Sequence, residues 1–66
     1  MNITINGLTR EIRENITLQM LLVELNLIEG RVALECNGQI VPPNHFSSHT
    51  VQDGDVIEIV RFVGGG

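Results

Sequence analysis

The chain is 66 residues long, 42% hydrophobic and only 3% aromatic, with four arginines, no lysine and eight acids for a net charge of −4. One domain of this size buries about 60% of the surface its unfolded chain exposes, which leaves too little mass to wall off a large substrate pocket. The acidic balance disfavours a nucleic-acid surface, which needs clustered cations. The lone Cys36 excludes an internal disulfide and any multi-cysteine metal cage.

Residues 2–6 alternate polar and apolar, with Ile3 and Ile5 on one face, which is the period of a strand. Asn6-Gly7 supplies the positive φ values of a type I′ turn, and the segment Leu8 to Glu14 is expected to return as a second strand. Arg10 between Leu8 and Ile12 marks that strand as partly covered or at an edge. At Ile16 the period changes. Leu18, Leu21, Leu22 and Leu25 fall on one helical stripe, with Thr17 as N-cap and Asn26 as the left-handed stop of a helix of about nine residues. Ile16 and Leu21 have the spacing of a hydrophobic staple. Such a short helix is unstable alone, so its leucines must pack on the hairpin.

Gly30 leads into a strand over Arg31–Asn37, with Val32, Leu34 and Cys36 on one face. Asn37-Gly38 predicts a second tight turn into Gln39–Val41, and Pro42-Pro43 stops that strand because neither ring nitrogen can donate. Asn44–Thr50 reads as a polar loop or a single helical turn pinned by Phe46, and Asp53-Gly54 as a third turn. The last strand runs Val56–Val63, with Ile57 and Ile59 on one face and Val56, Glu58, Val60 and Phe62 on the other. The order β-β-α-β-β-β predicts an α+β fold, a mixed sheet packed on one helix.

Four places invite chemistry. Gly64-Gly65-Gly66 has no side chains, so it is expected to be a mobile arm. Extended, it reaches about 10 Å and is thin enough to thread a narrow channel. A plain flexible end or linker reads equally well from composition alone. Cys36 shares a face with Val32 and Leu34 and has no His or Lys beside it in sequence, so core packing is favoured over a nucleophile or persulfide. His45 and His49 have the spacing of a helical metal pair, but with no third ligand evident they are read as surface residues, and no metal is expected. Val60 and Phe62 are expected to form a docking surface on the sheet face opposite the helix; the alternative is that Phe62 folds back toward Val63 or Phe46. No catalytic triad, phosphate loop or carboxylate pair is present, so the chain is not expected to be an enzyme. With no long apolar run, no charged leader and one cysteine, a cytoplasmic protein that does not enter a membrane is expected.

The element order, the helix Thr17-x-x-x-Leu21-Leu22-x-x-Leu25, the segment Val51-Gln52-Asp53-Gly54-Asp55-x-Ile57 and the terminal Gly65-Gly66 together resemble the ubiquitin-like sulfur carriers. The resemblance is closest to the small carrier of bacterial thiamine biosynthesis, the ThiS family, and covers the whole chain. It implies a β-grasp domain over residues 1–63 with a flexible glycine tail at 64–66. It further implies that a ThiF-like adenylyltransferase, using ATP and magnesium, converts the Gly66 carboxylate into an acyl adenylate. Sulfur from a cysteine desulfurase or sulfurtransferase then gives a thiocarboxylate, which serves a ThiG-like thiazole synthase. Gly64 and Gly65 would thread the partner's active site, and the chain would bind no cofactor of its own. The small subunit of molybdopterin synthase shares the diglycine end but is usually longer. A ubiquitin-like modifier of lysines and a simple binding module remain the other classes.

Overall fold

The computed structural model describes residues 1–27 and 29–62. It comprises β1 (Asn2–Ile5), β2 (Leu8–Glu11), α1 (Leu18–Glu24), β3 (Val32–Cys36), β4 (Gln39–Val41) and β5 (Val56–Arg61). Short 3-10 turns at Glu29–Arg31 and Pro43–His45 join the helix to β3 and start the long connection from β4 to β5. The five strands form one sheet in the order β2-β1-β5-β3-β4. β1 and β5 pair in parallel at its centre while every other pairing is antiparallel. This is the mixed sheet with one helix, in β-grasp topology, that the element order predicts.

Both Asn-Gly pairs make the expected turns. Asn6 and Gly7 have φ of 49° and 82°, Asn37 and Gly38 54° and 83°, the left-handed values that a two-residue hairpin of this hand needs. Their asparagines also do something that turn chemistry does not require. The Asn6 amide bridges the backbone of β5 at Ile59, donating through Nδ2 to the carbonyl at 3.1 Å and accepting the N–H at 2.7 Å through Oδ1. It thereby adds one rung to the β1–β5 ladder past the last residue of β1. Asn37 likewise accepts the Val56 N–H at 2.9 Å through Oδ1, and its own N–H donates to the Val56 carbonyl at 2.7 Å. Each hairpin is therefore stitched to the central strand by its turn residue.

The helix starts where expected. Thr17 is extended and its hydroxyl accepts the Met20 N–H at 3.2 Å, while the N–H groups of Leu18 and Gln19 donate to the carbonyls of His49 and Phe46. The free donors of the first turn are thus taken by the cap and by the β4–β5 connection. The helix is seven residues long where nine are expected, because Leu25 already leaves helical geometry and Asn26 turns left-handed at φ 60°. The Leu27 N–H then reaches back to the Leu22 carbonyl and the Asn26 N–H to that of Val23, the paired bonds of a Schellman end.

The second strand also stops short, at Glu11 where Glu14 is expected. Its partner β1 begins at Asn2, which faces Glu11, and beyond that pair only Met1 and Ile12 still exchange backbone hydrogen bonds, each at 2.8 Å. As an edge strand, β2 is exposed along its length. The last strand is described as strand only to Arg61; Val63, with which the sequence ends it, lies outside the described residues.

Leu18, Leu21 and Leu22 pack with Ile3, Ile5, Ile57 and Ile59 of the central strands, and Leu34 and Val41 extend the layer to the far edge. Ile16 and Leu21, the expected staple, are both fully enclosed. Phe46, 0% exposed, plugs the core from the β4–β5 connection. No helix among the described residues is long and apolar enough to cross a membrane.

Candidate functional site

Only one face of the sheet is covered by the helix. The register determines what the other face carries. In β5, Ile57 and Ile59 point to the core, so Val56, Glu58 and Val60 point away from it, and Phe62 follows just past the strand. Val60 is 60% exposed and Phe62 55%. Phe62 is therefore not a core residue like Phe46, and Val63, the other partner expected of a folded-back ring, lies outside the described residues. Ala33 lies directly opposite Val60, and Ile40, 77% exposed, lies opposite Glu35. The result is an apolar strip from β5 across β3 to β4.

Ile40 and Ala33 are not identified from the sequence. In the three-residue β4, period-2 alternation leaves open which of Ile40 and Val41 faces inward. The pairing of Leu34 with Val41 decides it.

The strip is interrupted by one electrostatic feature. Glu35 and Glu58 stand directly opposite each other across β3 and β5. Like charges in that position cost the sheet stability, and nothing in the core requires either residue. A cationic group from outside would relieve the repulsion.

At the end of this strip the chain passes toward the glycines. The Phe62 N–H donates to the Arg31 carbonyl at 2.9 Å, so the chain is still tied to the end of β3 at that point. Gly64, Gly65 and Gly66, the residues from which chemistry is expected, lie outside the described residues.

Cys36 is buried, as expected of a core residue, and is not in a disulfide. Burial is the first cause raising its thiol pKa, and the charge of the Asp55 carboxylate and a hydrogen bond to it push in the same direction. This is the reverse of what an activated sulfur nucleophile needs. However, the fold gives Cys36 neighbours that the sequence does not. Its Sγ, a ring nitrogen of His49 and an Asp55 oxygen all lie within 4.8 Å of one another. The two histidines part company here: His45 is exposed at the 3-10 turn, whereas His49 is half-buried and turned to this cluster, so its reading as a surface residue is corrected. Spacings of 13 and 6 residues across three segments carry no recognisable motif; the β3–β5 pairing sets Cys36 beside Asp55, and the β4–β5 connection brings His49 to them.

Comparison with known proteins agrees with this architecture. The ThiS family model matches residues 3–66. The sulfur carrier protein ThiS of Escherichia coli (strain K12) is 35% identical over 66 residues, with both chains covered in full. A thiazole synthase of Paramagnetospirillum magneticum is 42% identical over all 66 residues, which span 20% of that protein's length. The crystal structure of the thiamine biosynthesis protein ThiS from Geobacter metallireducens superposes with a TM-score of 0.85 at 35% identity, covering both chains in full. Matched along residues 3–66 by the family and sharing its fold from end to end, the chain belongs to the ThiS family of sulfur carrier proteins.

Proposed function

We propose that this carrier holds its sulfur at Gly66, as a thiocarboxylate on the α-carboxyl group, and delivers it to a thiazole synthase. The carrier is a co-substrate in this cycle and catalyses none of its steps. A ThiF-like adenylyltransferase attaches the AMP of ATP to the Gly66 carboxylate, with magnesium, and releases pyrophosphate. A carboxylate is a poor electrophile until one oxygen becomes a leaving group, and adenylation makes it one. Sulfide equivalents, drawn from cysteine through a desulfurase or sulfurtransferase, then displace AMP. Gly64 and Gly65 serve as the bare thread that enters each partner's active site. ATP and magnesium belong to the partner, and the cycle asks no cofactor of the carrier. A reducing cytoplasm suits both the free Cys36 and the thiocarboxylate.

The observation that carries this reading is the exposed apolar strip of Val56, Val60, Ile40 and Phe62, the last of which stands two residues before Gly64 in the sequence. A carrier that does no chemistry itself has to present its end to other proteins, and an exposed apolar face beside that end suits it. The Glu35–Glu58 pair supplies a polar contact for a partner's basic side chain. Support for thiazole synthase as the receiver comes from the Paramagnetospirillum magneticum relative, where a segment like this chain and a thiazole synthase share one polypeptide. The decisive experiment is intact-mass analysis after incubation with the adenylyltransferase, ATP, magnesium and a sulfur donor. The chain should gain the mass of one oxygen-to-sulfur exchange, and fragmentation should place it on Gly66. Sulfur found on Cys36 as a persulfide would overturn the proposal.

The docking face has its own test. Phe62→Ala should leave the thermal melt within about 0.5 kcal/mol of the parent, as for most surface changes. Affinity for the adenylyltransferase or the thiazole synthase should fall at least about tenfold, the loss expected of an aromatic anchor. A collapsed melt with unchanged affinity per folded molecule would make Phe62 a core residue.

A further inference from the structure

We propose that Cys36, His49 and Asp55 form a three-ligand site for a borderline-soft divalent cation, zinc being the natural occupant, at the end of β5 opposite Phe62. The three groups are a thiol, an imidazole and a carboxylate, which is a donor set zinc accepts in tetrahedral coordination. Their ligand atoms already lie within 4.8 Å of one another. Zinc bonds of about 2.0–2.3 Å at tetrahedral angles place such atoms about 3.3–3.6 Å apart, so closing the site asks for an inward shift of roughly 1 Å.

The fold prepares two of the ligands. Cys36 ends β3 and pairs with Ile57, which fixes it beside Asp55, the residue just before β5. The Asp55 carboxylate is oriented by two donors: Oδ1 accepts from Asn37 Nδ2 at 3.0 Å and Oδ2 from the Gln52 N–H at 2.8 Å. Outer hydrogen bonds of this kind aim a ligand and are characteristic of built metal sites. His49 comes from the β4–β5 connection, where its carbonyl accepts the Leu18 N–H, so the backbone that carries the ring is anchored independently of the ring.

Burial places the group at a boundary. The thiol is enclosed, whereas His49 and Asp55 are half-buried, so an ion can arrive from solvent and keep a water as its fourth ligand. Binding is balanced by one proton: the Cys36 thiol gives up its hydrogen to solvent as the sulfur–metal bond forms, and neutral His49 donates a lone pair. An ion here ties the connection between residues 41 and 56 to the sheet. Asp55 and Phe62 flank β5 at its two ends, about 23 Å apart at strand rise. The site is therefore separate from the Gly66 chemistry, and failure of either proposal leaves the other standing.

The test uses the full chain, reduced, untagged and freed of metal, titrated with cobalt(II) as the optical probe. The expected result is a thiolate-to-cobalt charge-transfer band in the near ultraviolet that saturates at one equivalent and is displaced by zinc. The thermal midpoint should rise with the added ion. His49→Ala removes a direct ligand, so it should weaken binding by more than the roughly 10–100-fold that loss of an outer partner costs, while its circular dichroism stays that of the parent. His45→Ala should bind as the parent does. No thiolate band at saturating cobalt in the folded parent overturns the proposal. So does an unchanged affinity in folded His49→Ala, or an equal loss in His45→Ala.

Discussion

Phe46→Ala is expected to unfold a large part of the population at temperatures where the parent is fully folded. The chain has two aromatics, and the fold spends them oppositely. Phe46 is 0% exposed and sits among the leucines and isoleucines of the core, while Phe62 is 55% exposed at the end of β5. Truncating a buried phenylalanine costs about 3–5 kcal/mol, part from lost transfer and part from the cavity left behind. A domain of this length has only ~3–10 kcal/mol to lose at 0.05–0.15 kcal/mol per residue. The position makes relaxation difficult. The Phe46 N–H donates to the Pro43 carbonyl and its own carbonyl accepts from Gln19 at the helix start, so the backbone cannot slide inward without uncapping α1. The melting midpoint should fall by at least about 12 °C, at 4–8 °C per kcal/mol for domains of this size. Far-ultraviolet circular dichroism against temperature measures it, with Phe62→Ala as the control for loss of an aromatic ring at the surface. A midpoint within a few degrees of the parent would mean that the core closes without the ring.

The features legible in the sequence are those whose cause is local. Asn6-Gly7 and Asn37-Gly38 predict their turns because a left-handed backbone is a property of the residues themselves. Thr17 predicts the helix start for the same reason, and the alternation of Ile57 and Ile59 against Val60 and Phe62 predicts which residues of β5 are left exposed. Where a neighbour distant in sequence decides, the signal fades. Strand alternation states which residues share a face but not which strands adjoin, so the placing of β5 between β1 and β3 is not visible in any one segment. Everything that depends on this order is hidden with it. Asn6 reaching Ile59, Ile40 joining the apolar strip, and Cys36 meeting Asp55 and His49 are three such cases. The ends of elements fail for a related reason. Leu8–Glu14 has strand character throughout, but β2 stops at Glu11, and past it only Ile12 finds a backbone partner, in Met1.

Removing Gly66 should leave the fold intact and abolish sulfur delivery. The described core is complete between Ile3 and Ile59, so one residue fewer at the far end of the chain removes none of its members. The shortened chain should melt with the parent. Its terminus, however, is still a glycine carboxylate, now that of Gly65, so the chemistry of the group alone does not predict a loss. Reach predicts it. Each extended residue contributes about 3.3–3.6 Å, so the carboxylate falls short of its former position by that distance. Reacting atoms must approach to about 3–3.5 Å, and a misplacement of only about 1 Å can cost 10²-fold. If the carrier docks through the apolar strip as proposed, the shorter arm cannot be offset by seating the domain deeper. Thiazole formation in a reconstituted system should therefore drop by at least about 10²-fold, with partner affinity through Val60 and Phe62 retained. A truncated chain that supports thiazole formation at the parent rate would show that neither the length of the arm nor Gly66 defines the carrier, and would return attention to other sulfur sites such as Cys36.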